Sequence, residues 1–198
     1  MVFRLVGRLV SRTDTESLPD LGPEPVVFVA NHTSMSDVFY AISVLADWRY
    51  PARCLVRYSY FTNPLMGGFL RAVGCVPAGG GGTDAVSGAV EILAEGWPVA
   101  VMVEGRIVPP DQRGADGMGE FRDGFVTIAR TADVRILPIV ITNADQVWGS
   151  RDRLPRFRPF ARPRVDVRVG TPLRTDGLDD ADVMAEARGQ MAAMLARS

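Results

Sequence analysis

Short apolar runs alternate with amphipathic stretches along nearly the whole chain, and this alternation predicts its elements. Pro25-Val26-Val27-Phe28-Val29-Ala30 is apolar throughout and follows a Gly-Pro turn, as a strand buried on both faces would. Residues 38–46 then read as a helix, with Ser34 or Ser36 available as its N-cap. A second strand is expected over 52–56. A helix is expected over 63–73, where Leu65, Met66, Phe69, Leu70 and Val73 share one face. Residues 75–78 suggest a short strand, and Gly79-Gly80-Gly81-Gly82 must be a loop. Thr83 caps a predicted helix that runs through Glu95 and stops at Gly96. Pro98-Val99-Ala100-Val101-Met102-Val103 predicts a central strand that delivers Glu104-Gly105-Arg106 at its end. The series closes with a helix over 125–131, a strand over 134–142 around Pro138, an outer strand over 164–169 with alternating polarity, and an amphipathic helix over 179–196 whose first turn is acidic.

Strands alternating with helices predict a single α/β domain, a central mostly parallel sheet flanked by helices. The expected domain covers 1–198: an amphipathic helix and lead-in over 1–18, a core over 19–173 and a C-terminal helix over 174–198. In such sheets active sites gather at the carboxyl ends of strands. Two polar clusters, 31–37 and 104–106, stand just past strands.

The length of 198 residues allows one sizeable core. A net charge of −1 gives no global field directed at nucleic acid, and none is expected as a partner. Every basic residue is Arg, a bias that reads as genome composition before function. Cys54 and Cys75 sit in apolar surroundings outside any C-x-x-C pair, so neither a zinc site nor a redox motif is expected. Two buried thiols fit a reducing cytoplasm, and a disulfide between them is not required. No stretch approaches the roughly 18 apolar residues of a spanning helix. Near the N-terminus Arg4, Arg8 and Arg12 interrupt the apolar residues, which argues against a signal peptide. The pattern fits a short helix packed on its own domain or laid on an anionic membrane. The expected location is the cytoplasm, with peripheral contact at the inner face of the cell membrane.

His32 is the only imidazole in the chain. His32 and Asp37 are five residues apart and would diverge by roughly 140° on one ideal helix. They meet if His32 lies on the loop before a helix and Asp37 in its first turn. Asp37 would then fix the tautomer and leave the other ring nitrogen to accept a proton. No Gly-x-Ser-x-Gly elbow is present, so the group to be deprotonated is expected on the substrate: an acceptor hydroxyl attacking a thioester carbonyl. Backbone amides after the strands could hold the oxyanion.

At this point the sequence resembles the PlsC-type lysophospholipid and 1-acylglycerol-3-phosphate acyltransferase superfamily. Its Asn-His-x4-Asp motif is matched by Asn31, His32 and Asp37. Its next stretch resembles residues 59–74, and its Pro-Glu-Gly-Thr-Arg motif falls on Val103-Glu104-Gly105-Arg106-Ile107. A Lys-Gly pair before a helix corresponds to Arg122-Asp123-Gly124, and a Val/Ile-Pro-Val/Ile strand to Leu137-Pro138-Ile139. The match covers roughly residues 19–173. The resemblance implies a glycerol-3-phosphate acyltransferase-like fold, with His32 as general base and Asp37 orienting it. Asn31, Glu104, Gly105, Arg106 and Arg122 are the implied substrate-binding residues. The implied donor is acyl-CoA or acyl-carrier protein and the implied acceptor a lipid, lysophosphatidic acid first, with no metal and no bound cofactor.

Two departures bear on the acceptor. The family's second motif ends in an Arg that helps hold the acceptor phosphate, but the matching position lies in the Gly79–Gly82 loop, which has none. The third motif reads Glu-Gly-Arg-Ile, so Arg106 would act from a position displaced by one residue, as in some members with a lysophosphatidylethanolamine acceptor. The departures keep open a non-phospholipid hydroxyl or amine acceptor, on a glycolipid or secondary metabolite. A thioesterase in which His32 activates water is a rival, as is a lipid- or carrier-binding protein on the same fold.

Other features admit two readings each. The glycine run lacks the Lys-Ser/Thr of a P-loop and is expected to widen an acceptor pocket. Arg151, Arg153, Arg156, Arg158, Arg162 and Arg164, with Trp148, Phe157 and Phe160 among them, could meet anionic headgroups or an acidic carrier, or form a solvated loop. Leu65, Met66, Phe69 and Leu70 could line an acyl channel, although core packing is the commoner reason for that spacing.

Overall fold

The computed structural model describes residues 11–79, 84–158 and 160–197. The sheet is built around β2 (Val26–Ala30), in which every residue is buried. It pairs in parallel with β5 (Val99–Met102) on one side and β6 (Arg135–Ile141) on the other. Beyond β5 lie β3 (Arg53–Arg57) and β4 (Val76–Ala78), both parallel additions. Beyond β6 lie β7 (Arg164–Val169), antiparallel to it, and β1 (Arg12–Thr15), parallel to β7. The order is β1-β7-β6-β2-β5-β3-β4.

Helices cover both faces, which is why β2 can be apolar at every position. Val27 and Val29 point to one side, into a core with α3 (Ala85–Ala94), α4 (Gly124–Thr131) and α5 (Asp180–Leu195). Val26, Phe28 and Ala30 point to the other, against α1 (Asp37–Asp47) and α2 (Pro64–Ala72). Each fully buried Val or Phe side chain contributes roughly 1.5–3 kcal/mol. The last helix belongs to the same core: Val183, Ala187, Met191 and Met194 all face inward. Local signals set the helix starts. Asn63 caps α2, accepting from the amides of Leu65 and Met66 at 3.0 Å, with Pro64 in the first turn. Asp179 caps α5 through the Asp182 amide.

Three expectations need correction. Within the 1–18 lead-in, residues 12–15 form a strand, while residues 1–10 and the helix expected there lie outside the described residues. That strand is too polar to show a period, and it is held by the ladder to β7 and by ion pairs such as Arg164–Asp14 at 2.6 Å. In consequence β7 is not outermost: β1 covers its far edge. The α3 helix begins at Ala85 with Asp84 at the N-cap; Thr83 and Gly80 to Gly82 also lie outside the described residues.

Pro138 sits in the middle of β6, where a missing N–H is costly. Its carbonyl accepts from Gly170 on the β7 side, so its ring nitrogen faces that side too. There the neighbouring chain leaves the ladder at Gly170 and rejoins it only where Leu173 and Ile136 exchange hydrogen bonds. No donor is needed at the gap. Among the described residues no helix is long and apolar enough to cross a membrane.

Candidate active site

The loop between β2 and α1 carries His32, and its backbone is fastened on three sides. Asn31 clamps the exit of β2 to β6: its amide donates to the Ile141 carbonyl (3.0 Å) and its side-chain oxygen accepts from the Ile141 amide (2.8 Å). The His32 amide donates to Glu104 Oε2 at 2.9 Å, and the His32 carbonyl accepts from the Val108 amide at 2.8 Å. On the third side Ser34 Oγ lies 2.7 Å from the Trp148 carbonyl, and Met35 donates its amide to that same carbonyl.

Asp37 is the first residue of α1 and turns back under this loop. Its Oδ2 accepts from the amides of Thr33 (2.7 Å) and Ser34 (2.8 Å) and stands 3.0 Å from His32 Nδ1. A carboxylate at that distance requires Nδ1 to carry the proton, leaving Nε2 with the lone pair. The Asp37 side chain is fully buried, while that of His32 is 21% exposed. The carboxylate is therefore closed off from solvent, and the ring is the exposed part of the pair. Burial pushes the Asp37 carboxyl up; the bonds from His32, Ser34 and Thr33 oppose it. Its Oδ1 is buried with no hydrogen-bond partner among the described residues, which explains why burial outweighs those bonds.

Glu104 is also buried, 2% exposed, with its Oε1 3.5 Å from the Gly119 amide. Burial raises its carboxyl as well, against the pull of the Gly119 and His32 amides. The polar atoms of Asn31 and Glu104 thus meet backbone groups, Asn31 those of Ile141 in β6 and Glu104 the amides of His32 and Gly119, where a substrate-binding role was expected of both. The other three expected residues stand around the exposed turn after β5. Gly105 adopts φ +65°, the left-handed conformation that favours glycine. Arg106 is exposed and donates from Nη1 to Gln112 Oε1 at 2.9 Å. Arg122 donates its amide to the Val103 carbonyl, and its exposed side chain passes beside Gly105.

Sequence reasoning missed Arg113, which no motif marks. Its guanidinium donates to the carbonyls of Val108 (3.1 Å) and Thr33 (3.3 Å) and pairs with Asp145 at 3.1 Å. One planar fork thereby joins the loop after β5, the His32 loop and the turn after β6. The backbone amides after the strands, expected as oxyanion donors, differ in what they already bind. The amides of His32, Thr33 and Ser34 all serve buried carboxylates. Those of Arg106 and Ile107 bond to nothing among the described residues. A cleft of about 470 Å³ opens on the Arg113 side, lined by Asn143, Asp145, Gln146, Gly149 and Arg151.

Among the described residues, the serines of the His32 loop and both cysteines are withdrawn from solvent. Ser34 and Ser36 are buried and Ser34 Oγ is bonded, while both cysteines are buried in the strand region of β3 and β4. Fold and site together define an α/β protein that sets an Asp-backed imidazole at the carboxyl edge of its sheet, suited to activating a nucleophile on a substrate. A model of the acyltransferase family matches residues 10–142, and the chain belongs to that family. It is 26% identical over 137 residues to a chloroplastic 1-acyl-sn-glycerol-3-phosphate acyltransferase of Arabidopsis thaliana, covering 67% of this chain and 35% of that protein. A chloroplastic 1-acyl-sn-glycerol-3-phosphate acyltransferase of Brassica napus is 25% identical over 143 residues, with 69% and 39% covered. The chain thus spans little more than a third of the length of these curated relatives. The crystal structure of the 1-acyl-sn-glycerophosphate acyltransferase of Thermotoga maritima has the same fold, with a TM-score of 0.71 at 19% identity over 98% of this chain and 75% of that one.

Proposed function

We propose that the protein transfers a fatty acyl group from an acyl thioester, acyl-CoA or acyl-carrier protein, to the free hydroxyl of a lysophospholipid, with lysophosphatidic acid the favoured acceptor. The observation that carries this reading is the 3.0 Å contact of His32 Nδ1 with fully buried Asp37, on a ring that is itself partly exposed. The acceptor hydroxyl gives its proton to Nε2 as its oxygen attacks the thioester carbonyl carbon. The resulting imidazolium is held by the Asp37 carboxylate. The tetrahedral oxyanion collapses, the carbon–sulfur bond breaks, and the leaving thiolate takes the proton from Nε2. Proton and charge balance, and no enzyme acyl intermediate forms. Arg106, exposed in the turn after β5, and Arg122, whose exposed side chain passes beside Gly105 of that turn, supply cationic groups for an acceptor phosphate.

The test is an acceptor screen with labelled acyl-CoA and acyl-carrier protein, products read by mass spectrometry. Phosphatidic acid from lysophosphatidic acid, lost in His32→Ala, supports the reading. Free fatty acid formed at the same rate with and without any acceptor refutes it in favour of a thioesterase.

A further inference from the structure

The loop between the turn after β6 and β7 is unlike the rest of the surface. From Arg151 to Arg162 it holds five arginines and one aspartate, interleaved with Leu154, Phe157 and Phe160. Those three apolar side chains are 75%, 65% and 102% exposed, so most of their surface faces water. Arg156 pairs with Asp152 and Arg151 with Asp111, but Arg153 and Arg158 have no ion pair among the described residues. Large apolar groups held in water beside cations have the chemistry of an interfacial segment.

The base of this loop is the catalytic segment itself. Trp148 accepts at its carbonyl from Ser34 and Met35, Gly149 bridges to Ser34, and the Trp148 ring stacks on Phe39 of α1 at 6.5 Å. Phe39 in turn touches Phe69 of α2 at 6.0 Å. The first turn of α2 and the turn before it expose Leu65 (86%) with Tyr58, Tyr60 and Met66. Both apolar patches therefore leave the carboxyl edge of the sheet, on either side of His32.

We propose that residues 151–162 are an interfacial anchor that docks this edge on an anionic lipid bilayer, with Leu154, Phe157 and Phe160 entering the headgroup–acyl boundary and Arg153 and Arg158 meeting lipid phosphates. An acidic carrier protein would match the arginines but leaves the three bare apolar side chains without a role. The inference rests on the lipid-acceptor reading for its purpose: an acceptor whose chain stays in the bilayer reaches His32 laterally.

The experiment is flotation of the full chain with vesicles of neutral phosphatidylcholine, with and without anionic phosphatidylglycerol. Binding should require the anionic lipid and weaken as salt rises. Arg153→Gln with Arg158→Gln should weaken it about fivefold per charge removed, and Phe157→Ser with Phe160→Ser roughly tenfold or more. Activity on vesicle-borne acceptor should fall in parallel, while activity on a monomeric short-chain acceptor stays at the parent level. His32→Ala should float like the parent, which separates docking from chemistry. Loop variants that float like the parent overturn the anchor, as does loss of affinity for acyl-carrier protein without loss for vesicles. Normal docking with no acyl transfer by the parent would instead overturn the function proposed above.

Discussion

Replacing Asp37 by Asn isolates the charge behind His32. The amide oxygen can take the place of Oδ2 and keep contact with the Thr33 and Ser34 amides and with Nδ1. The NH2 group then occupies the Oδ1 site, where no partner stands among the described residues. An orphaned donor costs about 1–3 kcal/mol, partly offset by no longer burying a charge, so the fold should survive. Catalysis should not. At 3.0 Å, an imidazolium and a carboxylate attract by about 5 kcal/mol at an effective dielectric of ~20. Losing most of that in the transition state lowers kcat on the order of 10³-fold. Asp37 is wholly buried and cannot touch either substrate, so both KM values should change little. The assay is steady-state acyl transfer with both substrates varied, beside a urea denaturation curve. A folded Asp37→Asn variant with kcat within tenfold of the parent would refute the dyad, and so would a loss carried by KM alone.

The remaining expectations concern the frame around the dyad. Glu104→Gln can keep the bond to the His32 amide and should lower kcat only about tenfold or less, whereas Glu104→Ala strands that amide at a cost of about 1–3 kcal/mol; a rise in acceptor KM in both variants would instead make Glu104 a substrate contact. Burial raises the Glu104 carboxyl in the folded state above its ordinary value of 4.5. Its stabilising contribution is therefore complete below that value and lost as pH rises through the folded one. Urea curves should show Glu104→Gln gaining on the parent between pH 4 and pH 8; a difference that stays flat with pH contradicts the shift. Arg113→Lys keeps a charge for Asp145 but not the three-way fork, and should cost about 1–3 kcal/mol with kcat affected more than KM. In α2, a Cβ on Gly67 would lie 2.5 Å from the Phe61 carbonyl oxygen, while one on Gly68 meets nothing within 4 Å. Thermal melts should show Gly67→Ala destabilised by about 1–3 kcal/mol and Gly68→Ala stabilised by about 0.5–1 kcal/mol.

What could be read from the sequence was what repeats or concentrates. The β2 and β5 strands and the helices after them show as apolar periods, because one element buries one face against a continuous core. The His32–Asp37 pair was legible because its geometry is local: five residues, one loop and one helix start. Long-range polar pairing leaves no such trace. The β1 strand is Arg-Thr-Asp-Thr and exists through its ladder to a strand some 150 residues later, so no local period marks it. Arg113 works by reaching two carbonyls and Asp145, partners 5, 80 and 32 residues away in sequence. Asn31 and Glu104 show the same limit from the other side. A motif singles them out as polar residues beside the base, yet only the fold shows that their polar atoms meet the amides and carbonyls of their own chain. That placement divides the motifs by physics. Buried members brace the loop that carries His32, and exposed members, Arg106 and Arg122, are those the proposed function assigns to the acceptor. Acceptor choice should therefore move with substitutions at the exposed turn after β5, while the acyl-transfer rate on any acceptor depends on the buried frame of Asn31, Asp37, Glu104 and Arg113.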